Sequence, residues 1–134
     1  MKFTEEKIIE WFLRIAISAG FLSAVADRFG LWDEAHTVWG NWDNFIAYTQ
    51  TLNPWFPTPM ISFTGGLATA LEIVFGIALL TPFKTSLIAK GAGGLLLLFA
   101  LSMTFSDSIK APLDYSVFCA SAAAFALSLL TKKR

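Results

Sequence analysis

Eight ionisable side chains stand within or against stretches that are otherwise apolar. Glu10 and Arg14 lie inside the first stretch, and Asp27 and Arg28 close it. Glu72 stands in the middle of the second, Lys90 one turn into the third, and Lys110 and Asp114 at the start of the fourth. On a soluble surface such residues are ordinary. At the centre of a membrane helix each costs roughly 2.5–3.5 kcal/mol on insertion scales, so each needs a partner, a polar cavity or a proton. The chemistry they could do is therefore to relay a proton, or to hold the polar group of a small lipophilic ligand such as a quinone carbonyl. Lys90 is close enough to its helix end to snorkel and is read as structural.

Other chemistry is excluded early. His36 is the only histidine and Cys119 the only cysteine, which rules out an internal disulfide, a CxxC pair, a bis-histidine haem and a histidine-rich metal site. No metal site is expected. Nothing arranges serine, histidine and acid as a triad, and His36 falls in a loop. KGAGG at Lys90–Gly94 lacks the preceding strand and the GxxxxGK[ST] spacing of a phosphate loop. Cys119 sits among small residues and is expected to be a buried, inert thiol.

The elements that must position the charges follow from composition and hydropathy. The 134 residues form one domain, 1–134; 55% are hydrophobic, only 15% are charged, and the mean hydropathy is +0.60. Soluble domains carry about 25% charge. Ten basic residues cancel ten acidic ones, so no global field recruits nucleic acid. A helix crosses the hydrocarbon core with roughly 20 mostly apolar residues. Four stretches have that character: 8–26, 60–80, 86–105 and 112–130. A soluble helix shows a polar face every turn, and the second and third stretches show none. The charges in the first argue against a cleaved signal peptide. The expected fold is all-α, a four-helix transmembrane bundle.

The connections refine it. Thr81–Thr85 and Ser106–Ala111 are short, so the helices they join must be antiparallel neighbours. In the fourth segment Pro112 suits the first helical position, with Ala111 pushed towards extended backbone. The connection Asp27–Pro59 is long and carries Trp32, Trp39, Trp42 and Trp55. Its run VWGNWDNFIAYTQTLNPWFP reads as a short amphipathic helix and a proline-rich return, either lying flat at the interface or roofing a pocket. Lys2, Lys7, Lys84, Lys90, Lys132, Lys133 and Arg134 fall on one side and most acids of the connections on the other. The positive-inside rule then puts both termini in the cytoplasm and the Trp-rich loop outside it. Close helix approach is expected at Ala16, Gly20 and Ala24, at Gly66 and Ala70, at Gly91, Gly93 and Gly94, and at Ala120 and Ala124.

Counting turns from the cytoplasmic ends puts Arg14 and Glu72 at similar depth, so an interhelical Arg14–Glu72 pair would leave neither charge alone. The rival partner of Arg14 is Glu10, in the favourable i,i+4 order; Glu72 would then be left to bury itself as the neutral acid. The pairs Asp27–Arg28 and Lys110–Asp114 are expected to meet beneath the aromatic roof formed by Trp39 and Trp42.

RIAISAGFLSAVADRFGLW at Arg14–Trp32, VWGNW at Val38–Trp42, LNPW at Leu52–Trp55, LEIVFGIALL at Leu71–Leu80 and IKAPLDYSVFCASAAA at Ile109–Ala124 together resemble the DoxX family of small bacterial integral membrane proteins. The resemblance covers nearly the whole chain. It highlights Arg14, Asp27, Arg28, Glu72, Lys110 and Asp114. It implies an inner-membrane protein that is an accessory or anchoring subunit of a quinone-linked redox complex, partnered by redox subunits or by further copies of itself. The chain brings no cofactor ligands of its own, so independent electron transfer is not expected, and the one ligand implied is a quinone. The alternatives are a small-molecule or lipid carrier using the same polar cavity, and a purely structural interaction protein.

Overall fold

A computed structural model describes residues 4–132. Six helices follow one another, and no strand occurs among the described residues: α1 (Glu5–Arg28), α2 (Trp42–Leu52), α3 (Thr58–Ala78), α4 (Thr85–Ser106), α5 (Lys110–Asp114) and α6 (Val117–Thr131). Lys2, Lys133 and Arg134 lie outside the described residues.

Local chemistry sets the helix starts. Thr4 caps α1, its hydroxyl accepting from the Lys7 N–H at 3.2 Å, and Glu5 and Glu6 occupy the first turn, where the helix dipole favours acids. Asn41 caps α2 in the same way through the Asn44 N–H at 2.8 Å. Pro57 precedes α3 and Pro59 sits in its first turn, where a missing N–H costs no helical hydrogen bond.

Hydrogen bonds between helices record the packing. Along α1, Arg14 meets the Leu79 carbonyl, Ser18 meets Gly76 and Arg28 meets Thr69. Numbers rise on α1 as they fall on α3, so the two are antiparallel. Ser121 reaches the Gly93 carbonyl and Ser128 the Ser86 carbonyl, which makes α6 antiparallel to α4. The starts of α1 and α4 and the end of α6 therefore share one end of the bundle. Ile17, Phe21, Leu79, Ala89, Ala92, Leu95, Ala124 and Leu127 form the apolar core.

Small residues admit the neighbours, but only some of those expected. A Cβ at Gly91 would lie 2.9 Å from the Phe75 ring and one at Gly93 2.9 Å from the Phe125 ring, and at Gly76, outside the expected set, a Cβ would lie 3.0 Å from Leu22. Gly20, Gly66 and Gly94 have nothing that close, and Ala16 and Ala70 are exposed. Their spacing is right, but their face is the outer one. Gly76→Val is expected to wedge α1 from α3 and to destabilise the protein by about 1–3 kcal/mol, read as a lower midpoint in detergent-induced unfolding; an unchanged midpoint would show that Leu22 yields without cost.

Three helices, α1, α3 and α4, are long and apolar enough to cross a membrane. No more than 33% of the most apolar 18-residue stretch of each is buried within the chain. Phe12, Ile15, Phe63, Leu67, Val74, Leu98 and Phe105 face outward, the reverse of a soluble bundle. The fourth expected helix is broken. Lys110–Asp114 makes one turn, Ser116 adopts φ +56°, and α6 then runs for only 15 residues. Pro112 is the third residue of α5, not the first, and Ala111 is helical rather than extended. The proline is tolerated because the N–H groups of a first turn have no helical acceptor to lose. Cys119 is exposed on α6, because the inward face of that helix is set by Ser121, Ala124 and Ser128.

Candidate functional site

The buried charges separate into two centres at opposite ends of α1. The first is built around Arg14. Its Nε donates to Glu10 Oε2 at 2.8 Å, in the i,i+4 geometry, and Lys7 adds a longer contact of 3.7 Å to the same carboxylate. The Arg14 Nη1 donates to the Leu79 and Thr81 carbonyls at 2.9 and 2.8 Å, and Nη2 to Thr85 Oγ1 at 2.8 Å. Arg14 thus caps the C-terminus of α3 from a neighbouring helix. A cation is favoured there, since the last carbonyls of a helix lack partners of their own. Trp11 lies beside the guanidinium, 5.0 Å from ring centroid to Cζ.

Arg14 does not pair with Glu72. Depth counted from assumed span ends misplaced the register: α1 packs so that Arg14 lies beside Leu79, seven residues beyond Glu72 and about 10 Å along the axis. The partner of Glu72 is Arg28.

That pair makes the second centre. Arg28 Nη1 donates to Thr69 Oγ1 at 2.7 Å and pairs with Glu72 Oε2. The side chains are 4% and 3% exposed, so both charges are fully withdrawn from solvent. Thr69 stands one turn before Glu72 and returns its own proton to the Gly65 carbonyl at 2.8 Å. Above the guanidinium lies the Phe45 ring, 3.8 Å from Cζ to the centroid, with Trp39 at 5.3 Å. These are cation–π distances, and the attraction is greatest where water is absent. Arg28 Nε is buried and has no hydrogen-bond partner.

Phe45 and Trp39 belong to a lid made by the 29–57 segment, with α2 at its heart. Trp39 meets Phe45 edge-on at 5.2 Å, and Trp42 stacks on Phe29 at 5.7 Å. Gly65 on α3 admits α2 closely: a Cβ there would fall 2.7 Å from Ile46. Asp27 ties the segment down. Its carboxylate accepts from the Thr37 hydroxyl and from three consecutive backbone N–H groups, Val38 at 2.9 Å, Trp39 at 3.3 Å and Gly40 at 3.1 Å. Successive N–H groups turned to one point make an anion nest. The turn needs Gly40 at φ +80° and Gly30 at φ +72°, where a Cβ would stand 3.0 Å from the Gly40 carbonyl. At the outer side of α2, burial pushes the Tyr48 phenol above its ordinary value, and its electrostatic neighbours Tyr115 and Asp107 act in the same direction.

Lys110 and Asp114 do not join this centre. They pair with each other at 2.8 Å on the surface, both exposed, one turn apart on α5. Asp27 already accepts from four lid donors, and the charge of Arg28 is already paired with Glu72. Trp32 is exposed and donates to the Ser23 carbonyl at 3.1 Å, Trp55 is exposed, and His36 pairs with Asp33 at the surface. Among the described residues no group of three His, Cys, Asp or Glu converges as metal ligands would.

Thr69 and Phe45 carry more of the site than the sequence reading gave them. Thr69 was recognisable from its place on the Glu72 face. Thr37, ten residues past Asp27, carries no local signal at all.

No family model matches the chain, and no curated protein or solved structure matches it either.

Proposed function

We propose that the chain is a DoxX-like, multi-pass protein of the bacterial inner membrane, an accessory or anchoring subunit of a quinone-linked redox complex. In this reading α5 and α6 complete a fourth crossing and both termini are cytoplasmic. Lys7, Lys84 and Lys132 support that orientation, since they gather where α1 and α4 begin and α6 ends. The apolar outer faces of α1, α3 and α4 are then available to lipid, to a redox subunit or to a second copy.

The observation that carries the quinone assignment is the Arg28 Nε–H, a buried donor without an acceptor beneath Trp39 and Phe45. Leaving such a donor unmet costs about 1–3 kcal/mol. A quinone carbonyl is an acceptor attached to a flat apolar ring, which suits an aromatic ceiling over a single donor. Glu72 and Thr69 hold the other side of the guanidinium and so orient Nε. Phe45 fills the space over Arg28, so entry of a ring requires α2 to lift.

A short-tailed ubiquinone analogue titrated into the detergent-solubilised protein tests this. Saturable binding is expected, weakened at least tenfold in Arg28→Lys, which keeps the charge beside Glu72 and removes Nε, and weakened again in Trp39→Ala. Equal affinity of Arg28→Lys and the parent chain would remove the site.

A further inference from the structure

We propose a second binding site at the opposite end of the bundle, for the phosphate of an anionic phospholipid. It is independent of the quinone reading and shares no residue with it. A cleft of about 510 Å³ opens between the start of α1, the start of α4 and the end of α6, a volume typical of small-molecule sites. Three cations line it, Lys7, Arg14 and Lys84, against one carboxylate, Glu10. Glu10 is already engaged by Arg14 and Lys7, so the cleft keeps a positive excess. Arg14 forms a fixed wall, buried and held by three other hydrogen bonds. Lys84 stands exposed at the rim, with φ +39°.

The first turn of α4 faces the same space through Thr85, Ser86 and Leu87, and no side chain caps it. A helix start without a side-chain cap, with its dipole, favours an anion with several acceptor oxygens. A phosphate supplies them. Trp11, Leu87 and Pro82 give the cleft an apolar wall, and Thr131 completes the lining with its hydroxyl already donated to the Leu127 carbonyl at 2.9 Å. Trp11 and Leu87 are themselves exposed on the flank of the bundle. A basic rim over an apolar wall matches a lipid, whose phosphate sits at headgroup depth and whose chains continue down the side of the protein.

The test uses the full chain in nanodiscs containing equal parts of phosphatidylglycerol and phosphatidylcholine, with retained lipid read by native mass spectrometry. Phosphatidylglycerol is expected to be retained at least tenfold over phosphatidylcholine. A lysine near the membrane surface is worth about a fivefold change in affinity, so Lys7→Gln and Lys84→Asn should each lower retention about fivefold and together abolish the preference. Lys90→Gln removes the same charge at the same end but outside the cleft, and should change nothing. If glycerol 3-phosphate displaces the retained lipid at millimolar concentration, the phosphate site stands and a soluble ester is its source. Equal retention of the two lipids, or an effect of Lys90→Gln as large as that of Lys84→Asn, would overturn the proposal.

Discussion

Glu72→Leu is expected to destabilise the folded protein by about 3–5 kcal/mol, the usual cost of stranding one member of a buried ion pair. Arg28 would keep the Thr69 hydroxyl and the Phe45 face but lose its only carboxylate, in a place where its side chain is 4% exposed. The double replacement Arg28→Met with Glu72→Leu should recover most of that loss. Two apolar side chains of similar volume carry no desolvation penalty, and Thr69 stays satisfied through the Gly65 carbonyl. Unfolding midpoints in mixed detergent for the four proteins of the cycle give the coupling directly. A double variant as unstable as Glu72→Leu alone would mean that the pair acts through shape and not through charge.

Asp27→Asn should cost about 2–3 kcal/mol, the range of a lost charge-assisted hydrogen bond. The carboxylate accepts four donors on two oxygens. An amide offers one oxygen and turns its NH₂ towards N–H groups, so half of the nest is met by a donor. The loss should concentrate in the lid. Amide exchange at Val38, Trp39 and Gly40 is expected to accelerate, while the Ser18 and Ser121 contacts between helices keep their protection. Under the proposed quinone reading α2 must lift for a ring to reach Arg28, so the same variant should speed association of the ubiquinone analogue in the binding assay. Uniform acceleration across all helices would place Asp27 in the global fold instead of the lid.

The long apolar stretches were legible because composition and period alone decide them: the bounds 8–26, 60–80 and 86–105 each fall within three residues of those of a helix that forms. The amphipathic run after Val38 also gave α2. The break at Ser116 was not legible, because a positive φ on serine has no residue signature of the kind glycine provides. Glu10–Arg14 could be read from an i,i+4 spacing within one helix. Arg28–Glu72 could not, since it depends on how far α1 slides along α3, and that is settled by Ser18, Gly76 and Leu22 acting together. Hydropathy says which residues face inward but not at what height two helices lock. The lid anchor was hidden for a related reason: three of its four donors are backbone N–H groups and the fourth is a lone threonine hydroxyl, so only Asp27 itself stood out.

The shortness of α6 reaches beyond the protein. Fifteen residues of helix rise about 22 Å, well under the roughly 30 Å of an average hydrocarbon layer. In the proposed arrangement, where α6 belongs to a fourth crossing, lipids around that flank shorten or bow inward to meet it, at a fraction of a kilocalorie per ångström. That arrangement makes the molecule lopsided in its demand on the bilayer, deep along α4 and shallow along α6. It should gather where the membrane is already thin, or turn its shallow flank towards another protein that spares the lipid the deformation.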